Sequence, residues 1–269
     1  PPAPLPASRN GQPPSIQVEG LWHRYANGVE ALKGVDLQVR PGEFLALMGR
    51  NGSGKSTLLK HLVGLLQPAR GKVTVLGQDA ARTATEELTT EIAYTPQNPD
   101  RLLFAETVAD ELAFSRRARN LPADPAADQA LLARLGIADL VDRHPRDLSV
   151  GQRQRLALAA VLVTDPPLIL LDEPTRGLDY VQKHKLAELL QELRDSGKTV
   201  IMATHDVELV AATADRVALM AQGQIVVDGP ARRVMSESLV FSSQVNKLFR
   251  DPRLLTPEDV LASLPGETP

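Results

Sequence analysis

Apolar and polar positions change period several times along the chain, and each change marks an element. Ile16, Val18 and Leu21 alternate partially with polar neighbours, and Leu37, Val39, Phe44, Ala46 and Met48 do so in two further stretches. A period of two is the strand signature. Asn27-Gly28 and Pro41-Gly42 are turn signals between these stretches. Apolar positions from Lys55 to about Leu65 follow helical spacing, weakened near the end by Gly64. Val73 to Leu76 and Ile92 to Tyr94 read as strands. The block from Asp110 to about Leu162 has little β character and predicts helices at 107–118, 125–135 and 149–163, punctuated by Pro122, Gly136 and Pro145. Leu168 to Leu171 is fully apolar, the mark of a strand buried on both faces in a parallel sheet. A helix from Val181 to Leu193, a strand from Val200 to Ala203 and a hairpin of Val217 to Met220 with Ile225 to Val227 follow. The tail from Ser236 to Pro269 reads as helical in pieces. No internal repeat is visible. Strands alternating with helices indicate α/β architecture with an inserted helical block.

Composition narrows the chemistry more than the fold. The 269 residues carry a net charge of -3, which gives no general attraction to nucleic acid or anionic lipid. There is no cysteine, so disulfides, thiolate metal sites and cysteine nucleophiles are excluded, in keeping with a reducing compartment. The longest apolar run, Leu156 to Val163, falls well short of the ~18 residues that span a bilayer. The N-terminus has no basic start followed by an apolar stretch, so no secretory leader is read there. Six of the 21 prolines lie in the first 14 residues, which predicts a linker over 1–14 and, with no initial Met, a cut one.

Residues 49–57 read GRNGSGKST, between a predicted strand and a predicted helix. Gly49, Gly54, Lys55 and Ser56 satisfy the G-x-x-x-x-G-K-[ST] pattern. Glycines let backbone N–H groups converge on an anion, and the helix N-terminus adds unsatisfied donors. Lys55 supplies a point charge for the β and γ phosphates. Ser56 supplies a hydroxyl to Mg²⁺, which prefers oxygen ligands. The loop alone does not say which kind of NTPase this is.

The strand 168–171 ends in Asp172-Glu173, which is the companion a phosphate loop requires. Asp172 holds Mg²⁺ through its water shell in this reading, and Glu173 polarises an attacking water. Ser149, in LSVGQ, is a good N-cap for the helix after it. Taken alone, capping explains that residue fully.

The motifs taken together are more specific. The chain resembles the nucleotide-binding domain of ATP-binding cassette (ABC) proteins over roughly residues 16 to 230. GRNGSGKST is its Walker A, bringing Asn51, Gly52, Ser53 and Thr57 into the nucleotide site. LILLDEP is its Walker B. Gln97, in YTPQNPD, matches the Q-loop glutamine, a catalytic and metal-contacting position. LSVGQ is its signature, with Ser149, Gly151 and Gln152 closing over nucleotide. Asp179, in RGLD, belongs to its D-loop. His205, in ATHD, matches its switch histidine beside Glu173. Tyr25 sits where the family stacks an aromatic on adenine. Edge packing for Tyr25 and helix capping for His205 are the plain alternatives. His23, His61, His144 and His184 match no motif. Val150 stands where the commonest signature has glycine, but a position just after an N-cap needs only helical, negative φ.

The resemblance implies an α/β P-loop NTPase of ABC type. It would have a mainly parallel core sheet, an antiparallel β subdomain and an inserted helical subdomain at about 98–163. The ATPase domain is expected over 15–235, with a C-terminal helical extension over 236–269. ATP and Mg²⁺ are the implied cofactors. A second cassette and an integral membrane subunit are the implied partners, at the cytoplasmic face of the cell membrane, with no nucleic acid. QNPDRLLFAETVADELAFS, from Gln97 to Ser115, resembles the ATPases of energy-coupling factor (ECF) transporters, which import vitamins and cobalt or nickel ions. LSVGQRQRLALAAVL and EPTRGLD look like the second half of such ATPases in which two cassettes are fused. The competing expectation is a soluble non-transport cassette, a scaffold or assembly factor.

Overall fold

The computed structural model describes residues 13–238 and 241–263. The predicted linker falls mostly on residues 1–12, outside the described residues. Pro13 and Pro14 have no regular structure.

In chain order the elements begin with β1 (Ile16–Arg24), β2 (Glu30–Val39), β3 (Phe44–Met48), α1 (Lys55–Leu62), β4 (Arg70–Val75) and β5 (Gln78–Asp79). Then come α2 (Thr85–Leu88), β6 (Ile92–Thr95), α3 (Val108–Ala118), α4 (Pro125–Arg134), α5 (Val150–Leu162), β7 (Leu168–Asp172) and α6 (Tyr180–Asp195). The last are β8 (Thr199–Thr204), α7 (Val207–Thr213), β9 (Arg216–Ala221), β10 (Gln224–Pro230), α8 (Ala231–Glu237), α9 (Gln244–Phe249) and α10 (Pro257–Ser263).

Six strands form one sheet in the order β10-β9-β3-β8-β7-β6. All pairs in it are parallel except the β9–β10 hairpin. Successive side chains on a strand point to opposite faces. Phe44, Ala46 and Met48 accordingly enter one core with Ile169, Leu171, Val200 and Met202. Leu45 and Leu47 enter the other with Leu168, Leu170, Ile201 and Ala203. Two cores explain why these strands read as unbroken apolar runs. The first core is covered by α3 to α6, and the second by α1 and a smaller antiparallel sheet of order β2-β1-β4-β5.

Local chemistry sets the element ends. The phosphate-loop helix stops at Leu62, earlier than its apolar spacing predicts, because Gly64 takes φ 73° and turns the chain out. β1 alternates imperfectly because its register shifts between Val18 and Leu21, around Gly20 at φ 53°. Gln222 and Gly223, both at positive φ, make the tight turn between β9 and β10. Asp124 caps α4 ahead of Pro125, and Thr107 caps α3. Two short elements, β5 and α2, escaped periodicity altogether. The tail helix α8 starts at Ala231, so the expected boundary at 235 falls inside it. Its Ala231, Val234 and Met235 join the first core, as does Leu255 further along.

The parallel strands β3, β6, β7 and β8 all end at one edge of the sheet. That edge receives the phosphate loop, Gln97, Asp172-Glu173 and His205. Leu170, fully buried at the centre of β7, holds the strand that delivers the carboxylates. Leu170→Ala is expected to cost about 2–5 kcal/mol of unfolding free energy; denaturant titration checks this.

Candidate functional site at the carboxyl edge of the sheet

Gly49, Gly52 and Gly54 have φ of 150°, 80° and 110°. A Cβ on Gly49 would lie 2.3 Å from the Met220 carbonyl oxygen, and one on Gly54 2.7 Å from that of Ala31. Gly52 has nothing within 4 Å. Gly49 and Gly54 therefore let the loop seat against β2 and β9, whereas a side chain at Gly52 would meet open space. The Gly54 N-cap carries no side-chain bond, so the first N–H groups of α1 keep no side-chain partner there.

Lys55 is 6% exposed, and its ammonium donates to the Gly49 carbonyl at 2.8 Å and lies 4.0 Å from Glu173. Burial pulls its pKa down, against the raising influence of Glu173 and Asp172. Ser56 Oγ donates to Asp172 Oδ1 at 3.0 Å. Burial pushes the Asp172 carboxyl above the usual carboxylate range; the Ser56 bond opposes this and Glu173 adds to it. A part-buried hydroxyl–carboxylate pair with only oxygen donors fits Mg²⁺, which takes one or two protein oxygens and completes its shell with water and phosphate. Among the described residues there is no cluster of three or more His, Asp or Glu that would suit a metal needing more protein ligands.

Glu173 follows β7 in the left-handed region at φ 53°, a strained conformation for a non-glycine. Its N–H donates to Ala203 O at 2.8 Å, which pins it to the end of β8. Its Oε2 is 2.8 Å from His205 Nδ1, so the imidazole orients the carboxylate. Asn51, Gln97, Glu173 and His205 line one open cleft of about 580 Å³. Thr175, Arg176, Lys183 and Glu208 also line it, and no motif singled out the last two. Lys183 pairs with Asp206 at 2.6 Å, a contact set by the α6–α7 packing and invisible to spacing. Tyr25 is half-buried, its hydroxyl 3.0 Å from Thr57 Oγ1. That bond ties it to the start of α1.

Ser149, Gly151, Gln152 and Asp179 do not line the cleft. Ser149 Oγ accepts from the Gln152 N–H at 3.3 Å while Gln152 Oε1 accepts from the Ser149 N–H at 2.7 Å, a reciprocal capping box on α5. Asp179 caps α6 in the same way with Gln182. A Cβ on Gly151 would lie 2.4 Å from Gly177 O, so the start of α5 rests directly on the 176–179 turn. Val150 is helical as expected and packs over Gly177.

A sequence profile of the ABC transporter family matches residues 32–176. The chain belongs to that family. It is an ATPase cassette with the family's P-loop α/β fold. A chain of Streptomyces avermitilis designated an ABC transporter ATP-binding protein is 47% identical over 264 residues, covering 97% of this chain and 46% of its own length. One of Methanosarcina acetivorans with the same designation is 39% identical over 285 residues, covering 100% of this chain and 46% of its own. The chain thus spans about half the length of the curated relatives it matches. Among solved structures, cbiO1 of Clostridium perfringens, described as part of the ABC transporter complex cbiONQ, superposes with a TM-score of 0.75 at 33% identity, covering 94% of this chain and 100% of that one. A dimeric post-hydrolysis cassette bound to ADP and Pi gives a TM-score of 0.70 at 30% identity, covering 80% and 98%.

The charge arrangement of the cassette carries a stability cost with a definite sign. A carboxyl whose folded pKa exceeds its unfolded value destabilises the fold above the folded pKa, and the cost vanishes as pH falls to the unfolded value. Asp172→Asn is therefore expected to melt higher than wild type at pH 7 without nucleotide, with the difference shrinking as pH falls through that window. The same variant should lose the added stabilisation that Mg²⁺ gives with ATP. Melting temperatures across pH, with and without Mg-ATP, check both.

Proposed function

We propose that this cassette powers an ECF-type importer of vitamins or transition-metal ions by ATP-driven closure against a second cassette. The observation that carries the reading is a division of labour on the chain. Lys55, Ser56, Asp172, Glu173 and His205 form one contact network, while the Ser149–Gly151 signature faces elsewhere. A γ-phosphate on the first face needs a signature from another cassette. The likeness to a dimeric, product-bound cassette supports this pairing.

In the reading, the phosphates take over Lys55 from the Gly49 carbonyl and enter the space beside Gly52. Tyr25 stacks on the base, and Asn51, Ser53, Gly54 and Thr57 complete the phosphate cradle. Glu173, aimed by His205, accepts the proton of the attacking water. Ser56, Asp172 and Gln97 would hold Mg²⁺, which neutralises phosphate charge when bound. Ser149, Gly151, Gln152 and Asp179 act across the dimer. Hydrolysis breaks the bond between the β and γ phosphates, the oxygen of water going to the γ-phosphorus, and only release of the freed phosphate removes the charge that holds the two faces together.

The ECF assignment is supported by the likeness to cbiO1 across nearly all of both chains and by the Gln97–Ser115 segment. Relatives about twice as long leave room for a fused second cassette. In this reading the chain works at the cytoplasmic face of the cell membrane on an integral membrane subunit. Among the described residues no helix is long and apolar enough to cross a membrane, so the span would come from that subunit.

Glu173→Gln is expected to bind ATP, fall at least about a hundredfold in turnover and accumulate as an ATP-bound dimer by size-exclusion chromatography. Full turnover in that variant refutes the base assignment. Purification of this variant from native membranes in detergent with ATP should carry an integral membrane subunit; a soluble partner alone decides for the non-transport alternative.

A further inference from the structure

His23 and His61 lie 38 positions apart and match no motif, yet the fold brings them together beneath Tyr25. His61 is 1% exposed and His23 9%. Four contacts close a ring of side chains. The Tyr25 hydroxyl is 3.0 Å from Thr57 Oγ1. The Thr57 carbonyl is 2.7 Å from His61 Nδ1. His61 Nε2 is 3.1 Å from His23 Nδ1. The His23 ring meets the Tyr25 ring edge-on, with centroids 4.7 Å apart and planes at 81°.

The partners assign the hydrogens that run between the two histidines and the carbonyls beside them. A carbonyl only accepts, so His61 Nδ1 carries a hydrogen and donates to Thr57. Burial, the largest influence on His61, lowers its pKa and keeps the ring neutral, which leaves Nε2 as an acceptor. His23 Nδ1 must then donate, shared between His61 Nε2 and the Gln67 carbonyl at 3.3 Å. His23 Nε2 is buried with no hydrogen-bond partner. Apolar side chains would fill this space without burying an unpaired ring nitrogen. Volume alone therefore does not account for two histidines here, whereas a directed chain of bonds does.

We infer that His61 and His23 are positioning residues for base recognition, bracing the Tyr25 ring and fixing its distance from the phosphate loop. The inference rests on the reading of Tyr25 as the adenine platform. Its physical content is that one helix sets both ends of the nucleotide. Lys55 and Ser56 begin α1, Thr57 follows, and His61 lies one turn beyond it on the same face. A rigid α1 then transmits phosphate-loop geometry to the platform through Thr57 and the histidine pair. Without the brace the ring turns about its side-chain bonds, and the base loses its stacking partner while the phosphates keep theirs.

Calorimetry of the whole chain with ATP and with inorganic tripolyphosphate separates these ends. His61→Leu and His23→Leu are expected to weaken ATP roughly three- to tenfold, the size of a lost stack, with tripolyphosphate affinity unchanged. His61→Gln, whose amide can accept from His23, should recover part of the loss. Tyr25→Phe, which cuts the Thr57 link without altering the core, should weaken ATP in the same direction. Combining His61→Leu with Tyr25→Ala should add nothing to Tyr25→Ala. Equal losses for both ligands, or additive losses in the double variant, overturn the inference. A loss in Tyr25→Ala with none in either leucine variant overturns the brace alone. Unchanged ATP affinity in Tyr25→Ala overturns the stacking reading beneath it.

Discussion

Burial of the central strands on both faces is the constraint on which the rest of the structure depends. β3, β7 and β8 carry apolar side chains alternately into two cores, and their backbone groups are satisfied only sideways, by neighbouring strands. Such strands have no room for a charged side chain along their length. Chemistry can appear only where they stop. Because they are parallel, they stop together, and the loops that follow share one edge, as ligand sites of open α/β sheets do. Asp172 shows the limit of this rule. It is the last residue of β7, 2% exposed, and tolerated there because Ser56 and Lys55 reach it from the phosphate loop.

That arrangement is electrostatically uncomfortable in the free chain. Lys55 is pulled toward neutrality by burial, against Glu173 and Asp172, and Asp172 is pushed toward protonation by burial, against the Ser56 hydrogen bond and the Lys55 charge. Lys55 meanwhile spends its bonds on the loop's own carbonyls, Gly49 and, more weakly, Arg50. Phosphate and a divalent cation would add further opposite charge to both groups. The glycines divide along the same line. Gly49 and Gly54 answer to packing, where a Cβ would strike backbone, and Gly52 answers to open space.

Most of this was legible in the sequence for a physical reason. Apolar runs of four or five residues, capped helices and the glycine pattern of residues 49–57 are all local signals, whereas the strand order β10-β9-β3-β8-β7-β6 is set by pairings between distant segments. Helices α3, α4 and α5 fell within one or two residues of expectation because Thr107, Asp124 and Ser149 cap them. What stayed hidden depends on contacts between distant segments. The bulge in β1 and the burial of α8 against the first core belong to that class. So does the pairing of Lys183 with Asp206. His23 and His61 are the sharpest case. Each alone reads as an unremarkable histidine, and only the crossing of β1 over α1 makes them partners.

The same dependence on distant contacts bears on how the two halves of the chain constrain each other. Glu173 and Ser149 serve different places, yet they are not independently placed. From Glu173 the backbone turns tightly, with Arg176 N–H donating to Glu173 O and Leu178 N–H to Thr175 O. Gly177, at φ 77°, then presents its carbonyl against Gly151, at a spacing that leaves no room for a Cβ. Val150 closes over the same glycine. The turn between the carboxylate and α6 therefore joins the carboxyl edge of the sheet to the start of α5 by direct backbone packing. A valine in place of glycine at position 150 adds side-chain contact to that packing while leaving the backbone N–H groups of the helix start in place.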